Sequence, residues 1–177
     1  MDERHGREQY FFDEATLTDL AEFIEGYDRP FVVFAPMLGK RLVERGTSAR
    51  VLDVDDRFAD LSGFRSYDVE SPEWLGEAYG LIVCDPPFFN VSLKVLFAAL
   101  RTLSRNDFAQ RMVVFYLSRR AAAFERAFEP FGLKRTGYVP GYATVESVER
   151  NRIEAFSNLD ESGLRRLRAK NGGSGSG

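Results

Sequence analysis

Gly80-Leu81-Ile82-Val83-Cys84-Asp85-Pro86-Pro87-Phe88 is the stretch that decides how this chain folds. From Gly80 to Cys84 it is apolar without alternation, the pattern of a strand covered on both faces rather than one facing water. The run stops at an acid followed by two prolines. Each proline holds φ at about −65° and lacks an amide donor, so Asp85-Pro86-Pro87 ends the strand in a stiff turn whose carbonyls have no intrahelical partner. Just beyond, Leu93, Leu96, Phe97 and Leu100 recur at the spacing of one helix face. A buried strand, a rigid turn and a helix in succession form the repeating unit of a parallel sheet.

The rest of the chain continues that alternation. Asp13 caps a helix carrying Leu17, Leu20, Ala21 and Ile24 on one face and ending at Gly26. Phe31 to Ala35, between Pro30 and Pro36, predicts another fully buried strand; a helix over Gly39 to Glu44 stops at Gly46, and strands follow at Arg50 to Val54 and Phe64 to Tyr67. Met112 to Leu117 repeats the buried pattern, and Ala121 to Phe128 reads as a helix. Leu133 to Tyr142 and Arg152 to Leu159 are expected to close the sheet as an antiparallel pair, punctuated by Gly137, Pro140 and Gly141. Strands alternating with helices imply right-handed crossovers, a mainly parallel sheet with helices on both faces, and a ligand site outside the carboxyl ends of the strands. The expected organisation is one domain over residues 1–170, followed by a Gly/Ser-rich linker or tag remnant over 171–177.

Composition narrows the setting. With 44% hydrophobic residues, 177 residues suffice for a single core. The lone cysteine, Cys84, lies in an apolar run, which excludes an internal disulfide framework and fits a reduced thiol in an intracellular protein, cytoplasmic or nuclear. Neither a signal peptide nor a membrane span is expected. His5 is the single histidine and lies in a charged terminus, so neither a metal site nor a Ser/His/Asp triad is expected. Charge is uneven: residues 1–100 hold 10 Lys/Arg against 19 Asp/Glu, and residues 101–177 hold 14 against 8. The basic second half suits either a phosphate backbone or an ordinary solvated face. Arg119 and Arg120, just past a strand end, are the candidates for phosphate or acidic-protein contact, and Arg165, Arg166, Arg168 and Lys170 read as a solvated basic tail.

The chemistry concentrates at the acid-Pro-Pro turn. A carboxylate on Asp85 and the Pro86 carbonyl can both accept from one NH2 group, aiming its nitrogen lone pair at an electrophile. Such orientation matters for an exocyclic aromatic amine, whose lone pair is delocalised into its ring. Phe88 can stack on that ring, a contact worth on the order of 1–3 kcal/mol for a base held outside its helix. Asp85, Pro86, Pro87 and Phe88 are therefore the catalytic candidates, with Phe11, Phe12 and Phe89 as further aromatic walls for the substrate. For Phe11 and Phe12, a place in the core competes with that role.

Taken with Asp85-Pro86-Pro87-Phe88, the segments Gln9-Tyr10-Phe11-Phe12-Asp13, Asp53-Val54-Asp55-Asp56-Arg57-Phe58 and Ala155-Phe156-Ser157-Asn158 resemble the probable N6-adenine methyltransferase family over about residues 9–160. That family groups a zinc-knuckle ribosomal-RNA adenine methyltransferase with elongation-factor lysine methyltransferases. The resemblance implies a Rossmann-like class I methyltransferase with a seven-stranded sheet, using S-adenosyl-L-methionine. It implies that Asp55 lies near the cofactor ribose, with Asp53 as its rival, and that Asp68 faces the cofactor's adenine amine. A carboxylate at a strand's carboxyl end can also accept from both ribose hydroxyls on general grounds. The loop Ala35-Pro36-Met37-Leu38-Gly39 lacks the expected glycine-rich sequence, and Ala35 and Pro36 would approach the methionine moiety through backbone groups.

Three functions are compatible with this sequence. The leading one is methylation of N6 of adenine in nucleic acid, RNA first, favoured by Phe rather than Tyr after the prolines and by the basic second half. The second is protein lysine methylation, with Phe88 against the lysine stem. The third is an inactive methyltransferase-like domain that binds a partner, raised by the missing glycine loop. A lone domain of this size would draw specificity from a structured RNA or an accessory protein subunit.

Overall fold

A computed structural model describes residues 12–87, 90–142 and 152–172. Seven strands form one sheet in the order β3-β2-β1-β4-β5-β7-β6. The first five, β1 (Pro30–Val33), β2 (Arg50–Asp53), β3 (Phe64–Ser66), β4 (Leu81–Cys84) and β5 (Met112–Leu117), pair in parallel. β7 (Ile153–Ser157) runs antiparallel to β5 and to the short β6 (Lys134–Arg135). The Rossmann-like mixed sheet and its antiparallel closure agree with the expectation. The strands β1, β4, β5 and β7 are buried at every position, which is the physical reason for the uninterrupted apolar sequences of β1, β4 and β5; β7 also buries Glu154 and Ser157.

The helices are α1 (Glu14–Ile24), α2 (Pro36–Glu44), α3 (Leu93–Leu103), α4 (Ala121–Ala127) and α5 (Glu161–Gly172). Asp13 caps α1 by accepting from the Thr16 amide at 2.8 Å, and Ser92 caps α3 by accepting from Val95 at 3.1 Å. Gly46, at φ 85°, takes the left-handed conformation just after α2. Pro36 opens α2 instead of closing a strand: a proline at the first helical position gives up only an amide that would have no partner anyway. Beneath α2, a Cβ on Gly39 would lie 2.5 Å from a Val51 methyl, so only glycine lets the helix sit this close to β2. The basic tail forms α5, in which Arg168 donates to the Thr136 carbonyl and Lys170 to Glu22. The helix runs through Gly172, and the Asn171 amide donates to the Gly137 carbonyl at 2.9 Å.

The anticipated strand from Leu133 to Tyr142 is shorter than its sequence suggests. Only Lys134 and Arg135 form β6. Gly137 at φ 83° breaks the extended run, and Pro140 has no amide to continue it. Because β6 runs parallel to β5, the chain leaving it heads for the sheet's carboxyl edge. Under the sheet, Phe124 stacks on Phe128 with centroids 4.6 Å apart and meets Phe156 at 4.3 Å, closing the core around β5, β7 and α4.

Candidate active site at the carboxyl edge of the sheet

Register builds the site. Val33 is level with both Leu52 and Cys84, and the ladder continues one step further: Phe34 donates to the Leu52 carbonyl, Asp85 to the Val33 carbonyl, and Tyr67 to the Asp53 carbonyl. Phe34, Asp53, Ser66 and Asp85 therefore form one row at the carboxyl edge, with Tyr67 one residue beyond it. The chain order reverses between β1 and β4, where a doubly wound sheet opens a crevice.

Asp85 is partly buried at the end of β4, over the fully buried Cys84. Burial pushes its carboxyl up to about 8, opposed only in part by a hydrogen bond that the Tyr142 hydroxyl donates to Oδ1 at 3.2 Å. Burial likewise pushes the Cys84 thiol up, with the Asp85 charge adding to it, so this cysteine is no thiolate nucleophile. The Pro87 carbonyl accepts from the amides of Asn90 and Val91, at 2.8 and 3.2 Å, and so closes the turn. The Pro86 carbonyl accepts no backbone hydrogen bond from the described residues. Of the two carbonyls expected to point outward, Pro87 supplies the rigidity, and Pro86 is the acceptor left open by the described residues. Phe88 and Phe89 lie outside the described residues, as does Phe11.

At the end of β2 two carboxylates divide the work. Asp53 is 1% exposed; its Oδ1 accepts from the Asp55 amide at 3.0 Å, while Oδ2 is buried without a hydrogen-bond partner among the described residues. Burial raises its pKa, against the lowering effect of the Asp55 and Val54 amides. The Asp55 side chain keeps 14% of its surface exposed and is clasped by Arg57, whose Nε lies 2.9 and 3.0 Å from the two oxygens. Asp68 stands exposed beyond β3, its side chain accepting from the Glu70 amide at 2.9 Å. Ala35 precedes α2 without giving it a side-chain cap, and Pro36 occupies its first turn. Phe34, just before them, has φ 65°, a left-handed conformation costly for a large L-residue and typical of functional turns.

The remaining candidates separate. Phe12 is 5% exposed and contacts Phe115 at 5.2 Å and Tyr142 at 5.1 Å, so it backs the site from the core rather than walling it. Arg119 and Arg120 are exposed in a single 3-10 turn after β5, and Arg120 is anchored by donating to the Tyr116 hydroxyl at 2.9 Å. Arg152, also exposed, joins them because its carbonyl accepts from Ser118 at 2.8 Å. Ala155-Phe156-Ser157-Asn158 has a structural part at the opposite edge: Asn158 accepts from Met112 and donates to the Gln110 and Phe131 carbonyls, tying the start of β5. Sequence reasoning passed over Phe34 and Tyr142. The Gly141-Tyr142 pair after Pro140 was a turn signal, but nothing local connects it to Asp85, 57 residues away.

This sheet order, with an antiparallel seventh strand and an acid-Pro-Pro turn at its central edge, is the build of the S-adenosylmethionine-dependent methyltransferases. The structure resembles magnesium protoporphyrin IX methyltransferase from Synechocystis, crystallised with SAM, at a TM-score of 0.55 and 11% identity, covering 80% of this chain and 76% of that one. A TehB-like SAM-dependent methyltransferase from Corynebacterium glutamicum gives 0.53 and 16%, covering 87% and 90%. Mitomycin 7-O-methyltransferase gives 0.52 and 11%, covering 81% and 52%. At such identities the likeness is one of fold, and the acceptors in these names differ. No curated protein sequence matches the chain. The model of the probable N6-adenine methyltransferase family matches residues 3–161, and the chain belongs to that family; it is a methyltransferase. Among the described residues no group of His, Cys, Asp and Glu is arranged to hold a metal ion, and no helix is long and apolar enough to cross a membrane.

Proposed function

We propose that the chain transfers a methyl group from S-adenosyl-L-methionine to an exocyclic amine, N6 of adenine in RNA. The observation that carries the reading is Asp85, held at the end of β4 next to a Pro86 carbonyl that accepts no backbone hydrogen bond from the described residues: two acceptors for one NH2 group. The residues along the edge suit the cofactor. Asp55 offers a partly exposed carboxylate, held by Arg57, for the ribose hydroxyls, Asp53 anchors its backbone, Asp68 stands beyond β3 on the adenine side, and the loop from Phe34 to Pro36 presents backbone to the methionine moiety. When bound, the cofactor supplies an electrophilic sulfonium methyl group.

The chain's own residues orient, and no strong base is needed. Asp85 and Pro86 draw the two amine hydrogens, which localises the nitrogen lone pair and aims it. Displacement leaves the amine cationic, and its proton passes to Asp85 or water. Pro87 fixes the turn, and Phe88 stacks on the base. Arg119, Arg120 and Arg152 form a basic rim beside the strand ends where a phosphate backbone would lie, which favours nucleic acid over a lysine side chain. The test is transfer of a tritiated methyl group from the cofactor into total RNA, DNA and protein. Label in RNA is expected. Label only in protein replaces adenine by lysine, and no label in any fraction leaves an inactive partner-binding domain.

A further inference from the structure

Tyr142 belongs to no motif in the sequence, yet the fold spends several contacts on placing it. Its ring stacks on Phe12, with centroids 5.1 Å apart and planes at 27°, and Phe12 in turn meets Phe115 of β5 edge-on. The two residues also form an antiparallel bridge. On either side, Asp13 donates its amide to the Gly141 carbonyl at 2.9 Å, and the Gly141 amide donates to the Thr16 hydroxyl at 2.9 Å. A Cβ on Gly141 would fall 2.1 Å from an Asp13 carboxylate oxygen, so any larger residue there has to displace the side chain that caps α1. The start of α1 and the chain after β6, 125 residues apart at Thr16 and Gly141, thus form one clamp whose tip is the Tyr142 hydroxyl, 3.2 Å from Asp85 Oδ1.

We propose that Tyr142 is a positioning residue for methyl transfer: by donating to Oδ1 it fixes the plane of the Asp85 carboxylate and leaves Oδ2 as the oxygen that accepts from the substrate amine. An unpinned carboxylate rotates about its last torsion and presents either oxygen. A donor on one oxygen removes that freedom and favours the ionised form, the one with full acceptor capacity. The inference rests on the amine-methylation reading above. The titratable groups facing Asp85 among the described residues are Tyr142 from the post-β6 segment and Cys84 from β4, with Tyr138 behind Tyr142; all three are held neutral by burial, so Asp85 is the one that titrates near neutrality.

The experiment is Tyr142→Phe, which keeps the ring and its stack on Phe12. Loss of a hydrogen bond to a charged group is expected to lower kcat by about 10- to 100-fold, with the KM for the cofactor unchanged. The rising limb of the kcat–pH profile should move to higher pH, because the donor that favoured the carboxylate is gone. Carbon-13 NMR of carboxyl-labelled aspartate, with Asp85→Asn to assign the signal, reads the same shift without turnover. A kcat and a titration midpoint both equal to wild type would overturn the assignment. If wild type methylates no amine, the functional reading fails, while the NMR midpoint in the two proteins still decides whether Tyr142 governs Asp85. Phe12→Ala, which removes the stacking partner and leaves the hydroxyl, should shift the midpoint in the same direction by a smaller amount; an unchanged midpoint would separate the clamp from the effect and count against it.

Discussion

Asp85→Asn should stabilise the fold at alkaline pH. The carboxyl has an ordinary pKa of 3.8 and is pushed up to about 8 in the folded protein, a rise of about four units. The folded chain therefore holds the Asp85 proton more tightly than the unfolded chain. The wild type keeps its full stability below about pH 4 and loses this contribution as pH rises toward about 8, after which the loss is complete. At about 1.4 kcal/mol per unit the ceiling is about 5–6 kcal/mol, and the partial solvent access of Asp85 brings the expectation to about 2–4 kcal/mol. Asparagine carries no charge and does not titrate. Urea unfolding followed by circular dichroism, on both proteins at pH 5 and pH 9, isolates the effect as a difference of differences. Asp85→Asn should gain about 2–4 kcal/mol over wild type between the two pH values. An equal difference at both would show that Asp85 pays no desolvation penalty, and the argument for a tuned acceptor would fail.

Three other outcomes follow from the geometry. Asp55→Ala should weaken S-adenosylhomocysteine binding by about 10- to 100-fold in calorimetry, since hydrogen bonds to a charged acceptor contribute about 1.5–3 kcal/mol; an unaffected Kd there, with a loss in Asp53→Asn, would move the ribose contact to Asp53. Gly39→Ala drives a methyl into the stiff Val51 side chain and should cost about 1–3 kcal/mol in urea unfolding, with Val51→Ala recovering part of it in the double variant; additive losses would refute the contact. Arg119→Ala should lower RNA affinity across sequences and reduce the salt slope of binding by about one, whereas an unchanged slope would remove Arg119 from the phosphate path.

How much of this was readable in the sequence follows from where each interaction is encoded. β1, β4 and β5 were legible because burial on both faces demands an unbroken apolar run, and the acid-Pro-Pro turn was legible because proline chemistry acts on the residue that carries it. The shortened β6 was not, since Gly137 and Pro140 act through conformations that an apolar pattern does not record. Pro36 was read as a boundary when it is also a favourable first residue of a helix. The left-handed Phe34 has no sequence mark at all, because the surrounding strands impose its conformation on a residue that resists it. Tyr142 and Asp85 meet through the tertiary path of β6, and Asn158, part of a family-like segment, proves to fasten the far edge. Local chemistry was readable, and the contacts that tune it were not.

The proposed acceptor atom at Asp85 is nitrogen. The direct test is to incubate the protein with S-adenosylmethionine bearing a deuterated methyl group and total RNA, digest the RNA to nucleosides, and locate the label by mass spectrometry in wild type and Asp85→Ala. The expected result is deuterated N6-methyladenosine from wild type, falling at least 100-fold in Asp85→Ala. Label on a ribose oxygen or a ring carbon, or an equal yield from both proteins, would contradict it.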